Sequence, residues 1–123
     1  MENLSEHVRH YIMITLYCLK DNSVENKNQL RILMYMVSKL LDIDFEYKII
    51  VEKYLQSDIV NHCIAELHGL GFINYYEKNS EIYKIQLNNK VMELTLTLYE
   101  KYKPNSIKIR DFILALNNFI GRN

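Results

Sequence analysis

The sequence predicts a mainly α-helical domain that carries one small β-hairpin, and three observations lead there. In a chain of 123 residues, 3 Gly and 1 Pro are too few for a turn-rich all-β fold and favour long helices. Apolar residues recur at spacings of three and four along most of the length, the mark of helical stripes. The exception lies at 72–76 and 81–87, where aromatic and β-branched residues flank the polar run Glu77-Lys78-Asn79-Ser80, the pattern of two strands and a turn.

Taken in order, Leu4, Val8, Tyr11, Ile12, Thr15, Leu16 and Leu19 form the stripe of a first helix over 4–20. Met13, Ile14, Tyr17 and Cys18 widen it past half the circumference, so this helix needs apolar neighbours on more than one side, and a second subunit is one way to supply them. Asp21-Asn22-Ser23 reads as a turn, and Asn26 as the cap of a second helix from Lys27 to Leu41. Asp42 and Asp44 end it, because short polar side chains compete for backbone hydrogen bonds.

Residues 45–55 carry two patterns. Phe45, Tyr47, Ile49 and Val51 alternate as in a strand, whereas Tyr47, Ile50, Val51 and Tyr54 fit a helix, and we read a helix. Ser57 then caps a further helix with Val60, Cys63, Ile64 and Leu67 inward, closed at Gly71 by a residue free to take positive φ. After the hairpin, Asn88 or Asn89 caps a helix that Pro104 stops, and Ser106 caps a last helix carrying Ile109, Phe112, Ile113, Leu116, Phe119 and Ile120. The expected order is four helices, a hairpin and two helices, within one domain over 1–123.

Apolar residues make up 49% of the chain and charged residues 24%, the balance of a folded protein rather than a disordered one. No stretch approaches the roughly 20 apolar residues of a bilayer span, and the run from Tyr11 to Leu19 ends in Lys20-Asp21 without a small-residue cleavage site. Cys18 and Cys63 fall on apolar stripes, so a reduced, cytoplasmic protein without membrane association is expected. Zinc and other cofactors are not expected: His7 with His10, and His62 with His68, lack the cysteines or carboxylates to complete a metal set. Without a Gly-rich phosphate loop or a nucleophile elbow, an enzyme is not expected either.

The segment from Ile49 to Ile73 resembles the helix-turn-helix of winged-helix regulators. Ile49 with Ile50 stands where that family opens its first helix, Leu55 where one apolar residue plugs the turn, and Ser57 where the recognition helix is capped. Leu67-His68-Gly69-Leu70-Gly71-Phe72-Ile73 is similar to the family's exit into the wing. With two helices before and two after, the chain looks like the MarR-type branch. The resemblance implies a helix-turn-helix over about 45–70, a wing over about 72–87, and terminal helices at 4–20 and 88–120 that build the core and a homodimer.

It further implies a transcriptional regulator that enters the major groove of a palindromic DNA site with half-sites about one turn apart. The residues in position for DNA are Lys53, Gln56, Ser57, Asn61, His62, Ala65 and Lys78. Asn61 has the amide to pair with adenine, Ser57 and Gln56 sit near a helix N-terminus where phosphate is favoured, and Lys53 and Lys78 supply charge. A cavity between terminal helices and motif leaves room for a small effector, which the sequence does not name.

Charge supports a competing reading. The formal net charge is zero, with 15 basic and 15 acidic residues, whereas phosphate neutralisation supplies most non-specific DNA affinity. The wing tip from Glu77 to Glu81 is slightly acidic, and no Arg stands on the recognition face for guanine. These features suit a winged-helix module that contacts protein through the same helix and wing.

Overall fold

A computed structural model describes residues 3–50 and 54–120. The first helix, α1 (Leu4–Cys18), is capped by Asn3, whose side chain accepts a hydrogen bond from the Glu6 amide at 2.9 Å. Seven of its residues, Val8 and the run from Tyr11 to Leu16, are buried all round the helix. The neighbours that this wide apolar circumference demands come from the same chain, since α1 packs against every later long helix but the second and against the sheet.

After a short 3-10 turn at Lys20–Asn22, strand β1 (Ser23–Asn26) leads into α2 (Lys27–Leu41). Asp21 and Asn22 both take positive φ there, and Asn22 Nδ2 donates to the Tyr17 carbonyl at 2.8 Å, satisfying an end of α1. The turn expected at Asp21-Asn22-Ser23 is present at Asp21 and Asn22, but it ends sooner than expected: Ser23–Asn26 is a strand, paired with residues far along the chain. Asn26 does cap α2, accepting from the Gln29 amide, while Gln29 Oε1 accepts from the amide of Glu25, one residue before the cap. Asp42, in the left-handed region at φ 54°, closes the helix.

The largest correction concerns 45–55. Among the described residues of this segment, 45–50 and 54–55, there is no helix: an irregular turn leads into β2 (Lys48–Ile50), which pairs antiparallel with β3 (Tyr54–Gln56), Ile49 opposite Leu55. Of the residues that alternate as in a strand, Ile49 lies in β2, while Phe45 and Tyr47 precede it in the turn. Glu46 at φ 60° cannot continue a right-handed helix, and Asp44 Oδ1 holds its amide at 2.7 Å. That turn drives Phe45 fully into the core, where it stacks on Tyr11. Of the helix-turn-helix expected over about 45–70, only the second helix, α3 (Asp58–Gly69), is present among the described residues, and the preceding helix, α2, reaches it through residues 42–57 rather than by a short turn.

Ser57 caps α3 as expected, and Gly71 follows it at φ 77°. Strands β4 (Ile73–Lys78) and β5 (Glu81–Leu87) then form the expected hairpin, and β1 adds to β5, giving an antiparallel sheet in the order β1-β5-β4. Asn79 and Ser80 both have positive φ, so the turn is of type I′, which favours Gly at its second position. Ser80→Gly is accordingly expected to raise stability by about 0.5–1 kcal/mol, read as a higher urea midpoint at unchanged slope. An unchanged or lower midpoint would remove the type I′ assignment.

A second short 3-10 turn at Asn89–Val91, opened by Asn88, leads into α4 (Met92–Lys101), and α5 (Lys103–Ile120) completes the described chain. Pro104 does break the helix, but α5 begins before it rather than at Ser106. In a first turn the missing proline amide has no hydrogen bond to lose, and Ser106 lies inside, fully buried, with its amide donating to the Tyr102 carbonyl at 2.9 Å. The molecule is thus mainly helical, with a small three-stranded antiparallel sheet and a separate two-stranded hairpin among the described residues. Among them no helix is long and apolar enough to cross a membrane.

Candidate functional site

Helix α3 lays Val60, Cys63, Ile64 and Leu67 inward against α1, which turns Asp58, His62, Ala65 and His68 outward. The sequence phase of this helix therefore holds. Its outer surface is not cationic: Asp58 through Gly69 contains no Lys or Arg and carries two carboxylates, Asp58 and Glu66. Glu66 Oε1 lies 3.4 Å from Arg9 of α1 and 3.6 Å from His62 Nε2, so the nearest guanidinium is directed to a carboxylate of the same chain.

The residues placed for DNA by sequence meet different fates. Ser57 is fully buried, and its hydroxyl donates to the Phe45 carbonyl while accepting from the Val60 amide at 3.2 Å, leaving nothing to offer a phosphate. Asn61 is half-buried, and its Oδ1 is buried with no hydrogen-bond partner among the described residues. A bidentate contact to adenine requires both amide atoms exposed. Gln56 is half-buried in β3 opposite Lys48, His62 and Ala65 are exposed on α3, and Lys78 is exposed at the end of β4 opposite Glu81. Lys53 lies outside the described residues. Asn61, His62 and Ala65 thus share α3, whereas Lys78 stands on the hairpin beyond it.

The β2–β3 hairpin occupies the approach to α3. β3 runs straight into Ser57, and Lys48 Nζ of β2 lies 3.7 Å from Asp58 Oδ2 in the first turn of the helix. A carboxylate there is favoured by the helix dipole and repels phosphate. Between this hairpin and the C-terminal half of α2 opens a cleft of about 410 Å³, walled by Tyr35, Ile43, Phe45, Tyr47, Ile49 and Leu55 with Ser38, Lys39, Asp42 and Asp44 beside them. Tyr47 closes its floor through a hydroxyl that donates to the Arg31 carbonyl at 2.6 Å, and burial raises that phenol's pKa. Sequence reasoning missed the cleft because it placed residues 45–55 on a helix.

Two further features flank α3. His68 stacks on Tyr75 with ring centres 3.8 Å apart, and Leu70, just past the helix, is 59% exposed. On the hairpin, Tyr76, 57% exposed, stacks on its cross-strand partner Tyr83, whose hydroxyl is bonded to Glu81. A second cleft of about 390 Å³ lies between the start of α2 and the hairpin tip, lined by Lys27, Arg31, Ser80 and Tyr83. Burial lowers the Lys27 pKa, with Arg31 adding to the effect and Glu77 opposing it.

The thiols are not poised for chemistry. Burial, with Glu66 nearby, pushes Cys63 up to about 11, and its Sγ donates to the Ser5 carbonyl at 3.4 Å; burial likewise raises Cys18 to about 11. Among the described residues no group of three or more His, Cys, Asp or Glu is placed to hold a metal ion. No family model matches the chain, and neither a curated protein nor a solved structure is significantly similar to it.

Proposed function

We propose that this chain is a winged-helix module that recognises a protein partner, with the exposed side of α3 and the β4–β5 hairpin as its contact surface. Apart from the β2–β3 pair inserted between α2 and α3, the order β1-α2-α3-β4-β5 and the sheet order β1-β5-β4 match what a winged helix is expected to have, which supports this reading. One observation carries the choice of partner: α3, the helix that would enter the major groove, has no Lys or Arg and two carboxylates. A duplex binder gains most of its affinity by replacing counterions with such cations. What the surface offers instead is Leu70, the His68–Tyr75 stack and the exposed Tyr76, and Tyr is enriched where proteins meet.

A second reading, a DNA-binding regulator, is favoured by the cleft that places Lys27 and Arg31 beside the hairpin tip. The two readings part on salt. Titrated against fluorescein-labelled mixed-sequence and genomic duplexes at 50 and 200 mM salt, the chain is expected to show no binding that weakens steeply with salt. A photo-crosslinking residue at Ala65 in cells is expected to trap a discrete protein adduct that Leu70→Glu abolishes. Salt-sensitive duplex binding that an Asn61→Ala, His62→Ala double variant removes would establish the regulator instead.

A further inference from the structure

We infer that the cleft between the first turns of α2 and the tip of the β4–β5 hairpin is a binding site for a small phosphomonoester, whose phosphoryl group sits between Lys27 and Arg31 while its organic body lies against Ile82 and Tyr83. The site does not involve the exposed side of α3, and it stands whether or not that helix contacts a protein.

The placement of two cations carries the case. Among the described residues every lysine but Lys27 is exposed; Lys27 is half-buried, and so is Arg31. Both line the cleft of about 390 Å³. Residues four apart on a helix share a face, so these like charges stand one turn apart and destabilise each other. Lys27 registers the conflict: burial lowers its pKa most, Arg31 lowers it further, and Glu77 opposes less strongly. No carboxylate forms an ion pair with Lys27 among the described residues. The helix adds to the imbalance. Lys27 is the first residue of α2, at the positive end of its dipole, and the first turn contains no acid. Stability alone would favour an acid there and keep both cations in water. Two half-buried cations at the positive end of a helix, converging on one cavity, instead lower the free energy of a bound anion.

The rest of the cleft selects among anions. Glu81, on the hairpin side, is engaged by the Tyr83 hydroxyl, which leaves Lys27 and Arg31 together on the helix side. Ile82 and the Tyr83 ring supply apolar surface, and the ring is braced by stacking on Tyr76. The volume falls at the lower end of small-molecule pockets, roughly 300–1,000 Å³, which leaves room for a ring-sized body beside a phosphoryl group. A phosphomonoester brings nearly two negative charges and three terminal oxygens at neutral pH. The guanidinium fork of Arg31 matches two of those oxygens, and the Lys27 ammonium adds a point charge. Ser80, lining the same cavity, has a hydroxyl able to donate to the third. A sulfate ester or a phosphodiester carries a single charge, so the same pair of cations discriminates against both, including the diesters of a nucleic-acid backbone.

The test uses the full chain, with phenyl phosphate as the probe. Followed by amide NMR at neutral pH, the probe is expected to give saturable shifts concentrated in the cleft residues Asn26 to Arg31 and Ser80 to Tyr83. Lys27→Gln and Arg31→Gln are each expected to weaken binding at least about tenfold. Lys103→Gln, which removes the same charge outside the cleft, should bind as the unsubstituted chain does. The same spectra report whether each variant is folded, and Lys27→Gln decides the matter if Arg31→Gln unfolds. Phenyl sulfate, similar in shape with one charge, is expected to bind at least about tenfold more weakly, and inorganic phosphate to compete at the same amides with lower affinity for want of the ring. Shifts centred on α3 or absent at millimolar probe, undiminished binding by Lys27→Gln, or equal affinity for phenyl sulfate or inorganic phosphate would each overturn the proposal. So would a DNA duplex that moves the same amides at lower concentration than phenyl phosphate, since the ligand would then be a diester backbone.

Discussion

Phe45→Ala is expected to cost about 3–5 kcal/mol of unfolding free energy, the range for removing a buried aromatic ring, from a typical total of about 5–15. Phe45 is among the largest fully buried side chains, although it lies in an irregular turn. Its ring stacks on Tyr11, with centres 6.2 Å apart, and the Tyr11 hydroxyl accepts from Asn105 Nδ2 of α5 at 2.8 Å. The ring thereby ties the turn before β2 to the first and last helices. It is also a wall of the cleft, so its loss enlarges a cavity rather than closing one. Urea titration reads the loss, with Ile49→Ala as control, expected to stay within about 0.5 kcal/mol because that side chain is exposed. A cost for Phe45→Ala below about 1 kcal/mol would mean that the turn does not insert its ring into the core.

Such a residue shows where sequence reading stops. The bounds of α2 at Lys27 and Leu41, the caps Asn26 and Ser57, and the β4–β5 hairpin are local matters, decided by spacing and capping chemistry within a few residues. The segment 45–55 is not local. Its apolar residues satisfy a strand and a helix about equally, and the choice falls to a core position for Phe45 that exists only once α1 is in place. β1 is hidden for the same reason: in Ser23–Asn26 only Val24 is buried and apolar, and the strand exists because β5, some sixty residues on, pairs with it.

The candidate site divides along the same line. Helical phase predicts which residues of α3 face outward, and the absence of Lys and Arg from that helix is plain in the sequence. The fate of polar atoms is not: Asn61 Oδ1 is turned inward by packing that no spacing rule describes. The wide apolar circumference of α1 was equally legible, but periodicity counts the neighbours a helix needs without saying whose they are. Its own chain provides them.

Ser57→Ala is expected to be the costliest change at a polar side chain, about 2–3 kcal/mol. The hydroxyl does two things at once in a fully buried place: it accepts from the Val60 amide, capping α3, and donates to the Phe45 carbonyl. Losing a cap costs about 0.5–2 kcal/mol, and stranding a buried carbonyl about 1–3, with overlap because one group serves both. Ser57→Asp separates the two. A carboxylate accepts from Val60 as well as a hydroxyl does, but it cannot donate, so it sets a negative oxygen against the Phe45 carbonyl. If capping were the whole role, Asp would restore stability; the geometry instead predicts that the ionised Asp is at least as damaging as Ala, with the damage growing as rising pH ionises it. An aspartate variant with the wild-type urea midpoint would show that the Ser57–Phe45 bond contributes nothing. The predicted failure of that variant would mean that α3 and the turn before β2 are held by one proton. Any use of this serine toward an outside ligand would then have to break the fold at the point where the two meet.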